Sequence, residues 1–326
     1  MKQFAPIIAV DDIRASGSSL YYDYCLFSKG KEDRAYTLQE HYSDIIKADR
    51  LVLFDSRRKH ESLSADDIAQ YNRIEKLLER RDSIDYQVVS VEDSKFGAIL
   101  SERKIKTIPR VAIDVSSMNF WEMSDIIYYF IRIANSDILD IFYTEPDVYR
   151  YQEDNITKYS NMLSTVSFNY PHNYMSTKTT QESEIFVAVI GFQKNVLKLM
   201  RDLYDVSDLY SINGFPSFYP KAKDISQTNN ADYLLEVKAS HRYSSEASNP
   251  FICFNTLCDI KKESGGAFMT LCPLGSKPMT LGACLYALKN QSDTRIVYPF
   301  SEAVGTETDG IGRTYCYRIS KDFFNQ

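Results

Sequence analysis

A short loop in the second half of the chain carries the residues best suited to hold a phosphate. Residues 274–278, Leu-Gly-Ser-Lys-Pro, follow the apolar run 268–272 and precede a helix-like segment. Gly275 permits close approach, Ser276 supplies a hydroxyl and Lys277 a positive charge, and N–H groups at a helix start attract anions. The spacing is not that of a P-loop. We predict a phosphate-bearing ligand here, the alternative being a tight turn with a solvated lysine.

A second loop, in the first half, is acidic and hydroxyl-lined. Asp114 closes a short apolar run, Ser116 and Ser117 follow it, and Glu122 lies in the next helix-like segment. Paired carboxylates can perform acid–base catalysis, and hydroxyls can bind a ribose or a metal-bound phosphate. Asp114 and Glu122 are therefore candidate catalytic residues, with Ser116 and Ser117 as candidate ligand-binding residues. The alternative, equally open, is that Asp114 or Ser116 caps the helix that begins near Asn119.

Further candidate ligand-binding residues lie at or beside the ends of other apolar runs. Gly191 and Gly214 each follow such a run, and Arg313 directly follows Gly312, which allows a tight backbone turn. Residues 55–58, Asp-Ser-Arg-Arg, occupy a comparable position. The His, Cys and acidic residues lack metal-site spacing, so no metal is predicted, and the sequence identifies no cofactor.

Apolar runs alternate with helix-like segments along most of the chain. Strands are predicted at 20–27, 51–54, 86–91, 110–115, 138–143, 185–190, 209–212, 268–272, 295–300 and 314–319, with helices at 38–47, 66–81, 120–134, 194–203, 230–240 and 279–288. Such alternation predicts an α/β fold with parallel sheets. Ligands of these sheets bind at the carboxyl ends of the strands, where the candidate residues lie.

The two halves of the chain repeat one order of elements. The run strand 110–115, helix 120–134, strand 138–143 matches strand 268–272, helix 279–288, strand 295–300, about 155 residues later. Upstream, strands 51–54 and 86–91 match strands 185–190 and 209–212. We therefore predict two Rossmann-like parallel-sheet halves, 1–150 and 184–326, joined by a linker over 151–183. Whether they arose by internal duplication stays open.

The segment around the Gly-Ser-Lys loop resembles a known family. Residues 271–285, Leu-Cys-Pro-Leu-Gly-Ser-Lys-Pro-Met-Thr-Leu-Gly-Ala-Cys-Leu, are similar to the G-[TS]-K-P-M loop and helix of CARF domains, the Rossmann-like sensors of cyclic oligonucleotides in CRISPR-associated proteins. The resemblance implies that Gly275, Ser276 and Lys277 contribute to a nucleotide pocket, which in that family usually forms across a homodimer. Leu274 replaces the first of the family's two glycines. No appended effector is evident.

The charge and hydropathy of the chain disfavour duplex nucleic acid and membranes as partners. The 38 basic and 44 acidic side chains give a formal net charge of −6, which disfavours duplex nucleic acid because that partner needs a basic face. No apolar run reaches the roughly 20 residues of a membrane span, and the N-terminal apolar run is too short for a secretory signal. We expect a cytoplasmic protein without a membrane partner.

The favoured function is a nucleotide-binding sensor or regulatory subunit. The CARF resemblance implies a role in bacterial anti-phage defence, with a nucleotide as ligand and a homodimer or a partner protein subunit to receive the signal. Two alternatives remain open. One is an enzyme that hydrolyses a nucleotide or nucleic acid with Asp114 and Glu122, and the other is a non-catalytic interaction subunit.

Overall fold

The chain folds into two compact units in a computed structural model. The structure describes residues 7–55, 65–79, 85–90, 110–149, 168–169, 174–178, 183–204, 206–299 and 308–323, with positions 135, 137, 175, 194, 195 and 322 left out. Unit 1 comprises Met1–Arg150 with Gly305–Gln326, and unit 2 comprises Tyr151–Val304.

Unit 1 is built on a seven-stranded sheet. Its strands are β1 (Ile7–Ala9), β2 (Leu20–Ser28), β3 (Ile46–Asp55), β4 (Asp85–Ser90), β5 (Arg110–Asp114), β6 (Ile138–Thr144) and β16 (Thr314–Ser320). Their order is β1-β16-β6-β5-β2-β3-β4. The five strands from β6 to β4 are parallel, whereas β16 lies antiparallel to both β6 and β1. Numbered along the chain, the parallel strands have the order 3-2-1-4-5, which is the Rossmann order without its sixth strand.

Helices cover the unit 1 sheet. They are α1 (Val10–Ala15), α2 (Thr37–His41), α3 (Ala65–Glu79) and α4 (Phe120–Tyr128), the last continued by a π-helical turn over Tyr129–Ile133. A 3₁₀ turn over Asp33–Tyr36 precedes α2, and β7 (Val148–Tyr149) pairs with β15 (Thr308–Asp309). Because both faces of the parallel strands are covered, β5 is buried from Val111 to Asp114 and reads as one apolar run.

Unit 2 repeats this plan with a five-stranded parallel sheet. Its strands are β9 (Glu184–Val189), β10 (Leu209–Gly214), β11 (Arg242–Ser245), β12 (Phe268–Pro273) and β13 (Thr294–Ile296), in the order β11-β10-β9-β12-β13. A short pair joins β8 (Phe168–Asn169) to β14 (Tyr298–Pro299). Numbered along the chain, the order is again 3-2-1-4-5, so both units have a Rossmann-like sheet.

The helices of unit 2 include one that is almost wholly buried. They are α5 (Val196–Tyr204), α6 (Ala222–Asn229), α7 (Ala231–Glu236), α8 (Pro250–Glu263) and α9 (Lys277–Lys289), with a 3₁₀ turn over Ala239–His241. Every residue of α9 from Pro278 to Leu288 is buried. Gly282 lets α9 approach α8, because a Cβ there would lie 2.2 Å from the carbonyl oxygen of Pro250. The N-terminus of α9 is therefore fixed by the core behind it.

These sheets confirm the predicted α/β class with two Rossmann-like halves, and they correct two details. The strand predicted at 314–319 was assigned to the second half, yet β16 pairs with β6 along its whole length in unit 1. The upstream part of the predicted repeat, which matched strands 51–54 and 86–91 with strands 185–190 and 209–212, is also shifted by one strand. By position in the sheet, β9 is the counterpart of β2 and β10 is the counterpart of β3. Most of the predicted linker, 151–183, lies outside the described residues.

Candidate functional site

The two loops singled out in the sequence lie at equivalent places in the two units. In each sheet the strand order reverses between the first and fourth parallel strands, and ligands of open α/β sheets bind at the carboxyl ends there. The pair is β2 and β5 in unit 1, and β9 and β12 in unit 2. The Asp114 loop follows β5 and the Gly-Ser-Lys loop follows β12. The sequence patterns of strands and helices were therefore sufficient to predict that each loop lies between the end of a strand and the start of a helix.

Ser276 anchors the Gly-Ser-Lys loop at the start of α9. It is the N-cap of that helix, and its Oγ accepts a hydrogen bond of 3.4 Å from the backbone N–H of Met279. The same hydroxyl donates to the carbonyl oxygen of Ala247 at 2.5 Å. Pro278, in the first turn of α9, presets helical backbone. The loop is therefore held both by its own helix and by the segment that follows β11.

Two glycines let the loops at the switch point of unit 2 pack against each other. A Cβ at Gly191 would lie 1.8 Å from the carbonyl oxygen of Leu274. A Cβ at Gly275 would lie 2.6 Å from Cγ1 of Val189. The side-chain amide of Asn230 also donates to the carbonyl oxygen of Gly191 at 2.9 Å. Both glycines thus allow the two loops to pack closely, and this close packing fixes the position of the residues that follow each glycine.

The edge of this loop faces solvent and offers hydrogen-bond donors. Gly275, Ser276 and Lys277 are each partly exposed, whereas Leu274 and Pro278 on either side are buried. Within the described part of the chain, the backbone N–H groups of Gly275 and Ser276 donate no hydrogen bond. Two donors and a lysine at a helix N-terminus form the arrangement that attracts an anion.

Gly214, another predicted ligand-binding residue, lies beside the same loop. It ends β10, and a Cβ there would lie 3.3 Å from both Sδ of Met279 and Cβ of Ala247. The end of β10 therefore touches the first turn of α9. The structure brings together five of the predicted ligand-binding residues at one edge of unit 2, namely Gly191, Gly214, Gly275, Ser276 and Lys277.

The Asp114 loop in unit 1 is held by hydrogen bonds to its neighbours. Oδ1 of Asp114 accepts from the backbone N–H of Ser116 at 2.9 Å, and Oγ of Ser116 accepts from the N–H of Thr144 at 2.8 Å. Oγ of Ser117 donates to the carbonyl oxygen of Ser28 at 2.8 Å. Asp114 and Ser116 are almost fully buried. These side chains tie the end of β5 to β6 and β2.

Glu122 is engaged in capping α4. Its Oε2 accepts from the backbone N–H of Asn119 at 3.0 Å and from Oγ of Ser28 at 2.9 Å. Oδ1 of Asn119 in turn accepts from the N–H of Glu122 at 2.9 Å, which completes a capping box. The cap proposed for Asp114 or Ser116 therefore belongs to Asn119. An Asn followed three residues later by Glu is visible in the sequence and indicates this role.

Arg313 lies in unit 1, not with the Gly-Ser-Lys loop. It is exposed and precedes β16, and its carbonyl oxygen accepts from the N–H of Glu145 at 2.9 Å. Burial raises the pKa of Glu145, against the lowering effect of the Arg313 and Arg34 charges. Arg34 is itself buried, with Glu32 2.6 Å from its Nε and the carbonyl oxygen of Thr144 2.9 Å from its Nη1. The sequence did not predict this charged cluster because its members are far apart in the chain.

The described residues include no group of three or more His, Cys, Asp and Glu side chains arranged to hold a metal ion. Nor does that part of the chain contain a helix with the length and hydropathy of a membrane span.

Comparison with known proteins shows that the fold of this chain is similar to that of a solved structure. No protein-family model matches the chain, and no curated protein matches it in sequence. Among solved structures, the chain is similar to a type III CRISPR defence DNA nuclease activated by cyclic oligoadenylate, with a TM-score of 0.51 and 9% identity. The match covers 86% of this chain and 65% of that nuclease, so the chain spans about two thirds of the nuclease's length. At this identity the likeness shows the fold alone.

Proposed function

We propose that this protein is a nucleotide-binding sensor whose ligand binds at the switch point of the unit 2 sheet. Backbone N–H groups of Gly275 and Ser276 and the ammonium of Lys277 would hold a phosphate of the ligand. The observation that carries the proposal is the position of these groups, at a helix N-terminus between the first and fourth strands of a Rossmann-like sheet. Phosphates of nucleotides bind at that position in such sheets.

The ligand class we propose is a cyclic oligonucleotide. The nuclease of similar fold is activated by cyclic oligoadenylate. The resemblance of residues 271–285 to the CARF loop points to the same ligand class, and both support a role in antiviral defence. In this role the protein would act as a homodimer or pass the signal to a partner protein subunit.

Signal transfer would begin at Ser276. Its hydroxyl joins the loop to Ala247, which lies between β11 and α8, while α9 behind the loop is buried against α8. A ligand that draws the loop outward would therefore shift the cap of α9 and the segment before α8 together. Packed interfaces respond to such shifts by changing between discrete arrangements.

The geometry favours sensing over hydrolysis by Asp114 and Glu122. Each carboxylate accepts hydrogen bonds from the backbone of its own loop, which gives it a structural role in unit 1. The hydrolytic alternative would require these carboxylates to leave those bonds and reach a substrate. A variant such as Asp114→Asn would then abolish turnover of cyclic oligoadenylate, whereas the sensor proposal expects no turnover by the wild type.

Ligand-induced stabilisation tests the sensor proposal. The wild type is mixed with cyclic oligoadenylates of different ring size and its melting temperature is recorded. A ligand at a hundred times its Kd stabilises the folded state by about 2.7 kcal/mol. Lys277→Ala should remove most of this shift. Lys262→Ala is the matched control, because Lys262 is an exposed lysine of α8 in the same unit. The absence of a shift, or a shift unchanged in Lys277→Ala, would overturn the proposal.

A further inference from the structure

An exposed aromatic ring stands beside the Gly-Ser-Lys loop. Phe215 directly follows β10, and 51% of its surface is exposed. Its backbone is nevertheless well anchored, since its N–H donates to the carbonyl oxygen of Ser245 at 2.7 Å. The ring is thus presented to solvent from a fixed position at the carboxyl edge of the unit 2 sheet.

Ala247 links this ring to the candidate phosphate site. The N–H of Ala247 donates to the carbonyl oxygen of Pro216 at 2.9 Å, next to Phe215. Its own carbonyl oxygen accepts from Oγ of Ser276 at 2.5 Å. Gly214, on the other side of Phe215, lies against Met279 in the first turn of α9. The aromatic ring and the phosphate loop are therefore neighbours joined through one residue.

Lys223 holds the ring from one side. This lysine belongs to the first turn of α6, and its Nζ lies 4.6 Å from the centre of the Phe215 ring. Among the described residues, no carboxylate lies within ion-pairing distance of Lys223. The cation–π contact orients the ring, and the charge adds to that of Lys277 along the same edge. Two lysines suit a ligand that carries more than one phosphate.

We infer that Phe215 stacks on a nucleobase of the ligand and that Lys223 is the positioning residue for its ring. The inference rests on the proposed function, which supplies the phosphate site. It adds an explanation of how the nucleobase of the ligand is recognised. Every nucleobase has a flat π face, and stacking on an aromatic side chain is a common way in which proteins hold single-stranded nucleotides. A half-exposed phenyl ring beside a phosphate site provides that surface.

Calorimetric titration with two probes separates base recognition from phosphate recognition. Adenosine 5′-monophosphate carries both base and phosphate, and ribose 5-phosphate lacks the base. The wild type should bind the first about tenfold more tightly, the size expected for one stacked base. Phe215→Leu keeps an apolar side chain without a π face and should remove this difference. Phe215→Trp should retain it, and binding of ribose 5-phosphate should be equal in all three proteins.

The outcomes distinguish the inference from the proposed function. If Phe215→Leu and the wild type bind adenosine 5′-monophosphate equally well, the stacking role of Phe215 is overturned. The sensor proposal still holds in that case, provided that ligand binding by the wild type depends on Lys277. Failure of the wild type to bind either probe or any cyclic oligoadenylate removes both. Unchanged melting temperatures of the two Phe215 variants without ligand show that they are folded, as expected for a residue exposed on a loop.

Discussion

The Cα of Gly191 lies directly against the carbonyl oxygen of Leu274, so that a Cβ at position 191 would be 1.8 Å from that oxygen. The contact joins the loop after β9 to the loop after β12. The N–H of Leu274 also donates to the carbonyl oxygen of Val189 at 2.9 Å. The candidate phosphate-binding loop is therefore positioned by a glycine in the loop after the neighbouring strand β9, and the site depends on a residue that need not touch the ligand.

A side chain at position 191 should displace the loop. Gly191→Ala places a methyl group where the Leu274 carbonyl lies, and overpacking of this kind costs about 1–3 kcal/mol. We expect a lower free energy of unfolding, measured by urea unfolding, and weaker binding of cyclic oligoadenylate, measured by calorimetry on the same variant.

Gly214→Ala is the matched control for that substitution. Its new Cβ would lie 3.3 Å from the Met279 sulfur and from Cβ of Ala247, so the neighbours need to move by only a few tenths of an ångström, and the Met279 side chain is flexible. It should cost less stability than Gly191→Ala. Equal stability of the Gly191→Ala variant and the wild type would contradict the packing role of Gly191.

Local patterns in the sequence were enough to predict the α/β class and to place the Gly-Ser-Lys loop. Buried parallel strands such as β9 and β12 read as apolar runs, and Ser276 with Pro278 marks a helix start. β11, Arg-Tyr-Ser-Ser, has no apolar run and was not predicted. The whole of α8 was also missed, although the Asn249–Pro250 signal at its start is typical of an N-cap.

Pairings between distant segments could not be predicted in this way. The assignment of β16 to the second half was wrong because its partner, β6, lies far away in sequence. A strand pattern indicates which residues are buried but not which strand lies beside it. The exposure of Phe215 and the charged cluster around the buried Arg34 likewise depend on the packing of distant elements.

Asn119 and Glu122 should be energetically coupled. Each side chain accepts a hydrogen bond from the backbone N–H of the other, and Glu122 also binds Ser28. Asn119→Ala should cost about 1 kcal/mol, and the double variant with Glu122→Ala should cost less than the sum of the two single variants. Urea unfolding of the four proteins measures this coupling, expected at about 0.5–1 kcal/mol. Additive effects would contradict a shared cap and leave Glu122 available for another role.

Removal of Arg318 from its ion pair with the buried Asp140 should strongly destabilise the protein. Arg318 donates to both carboxylate oxygens, at 2.8 and 2.7 Å, and Asp140 is fully buried. The hydrogen bonds to Asp140 raise the pKa of Arg318, so the guanidinium stays charged. In Arg318→Met, the Tyr22 hydroxyl is the side-chain donor to the Asp140 carboxylate that remains among the described residues.

That substitution should cost about 3 kcal/mol, because removal of one partner leaves an uncompensated buried charge. The control is Arg14→Met, which removes an exposed ion pair with Asp44 and should cost much less, because exposed ion pairs are screened by solvent. Both are measured by urea unfolding. Adding Asp140→Asn to Arg318→Met should recover part of the loss. A cost for Arg318→Met no larger than that of the control would show that β16 is held by its backbone pairing alone.

Glu145 should make the stability of the protein depend on pH. Burial raises the pKa of this carboxyl in the folded chain, so the folded state favours the protonated form more than the unfolded state does. Below the ordinary pKa of glutamic acid, both states are protonated and the folded state loses nothing. As the pH rises through the folded pKa, the half-buried carboxylate ionises and part of the stability is lost.

Glu145→Gln removes that ionisation and should therefore raise the melting temperature relative to the wild type near pH 7. The difference should vanish near pH 4, where the wild-type carboxyl is largely protonated in the folded state. Glu75→Gln, the same change at an exposed position of α3, is the control for the substitution itself. A wild type more stable than Glu145→Gln near pH 7 would mean that Arg313 and Arg34 outweigh burial and that the carboxylate is held as an ion pair.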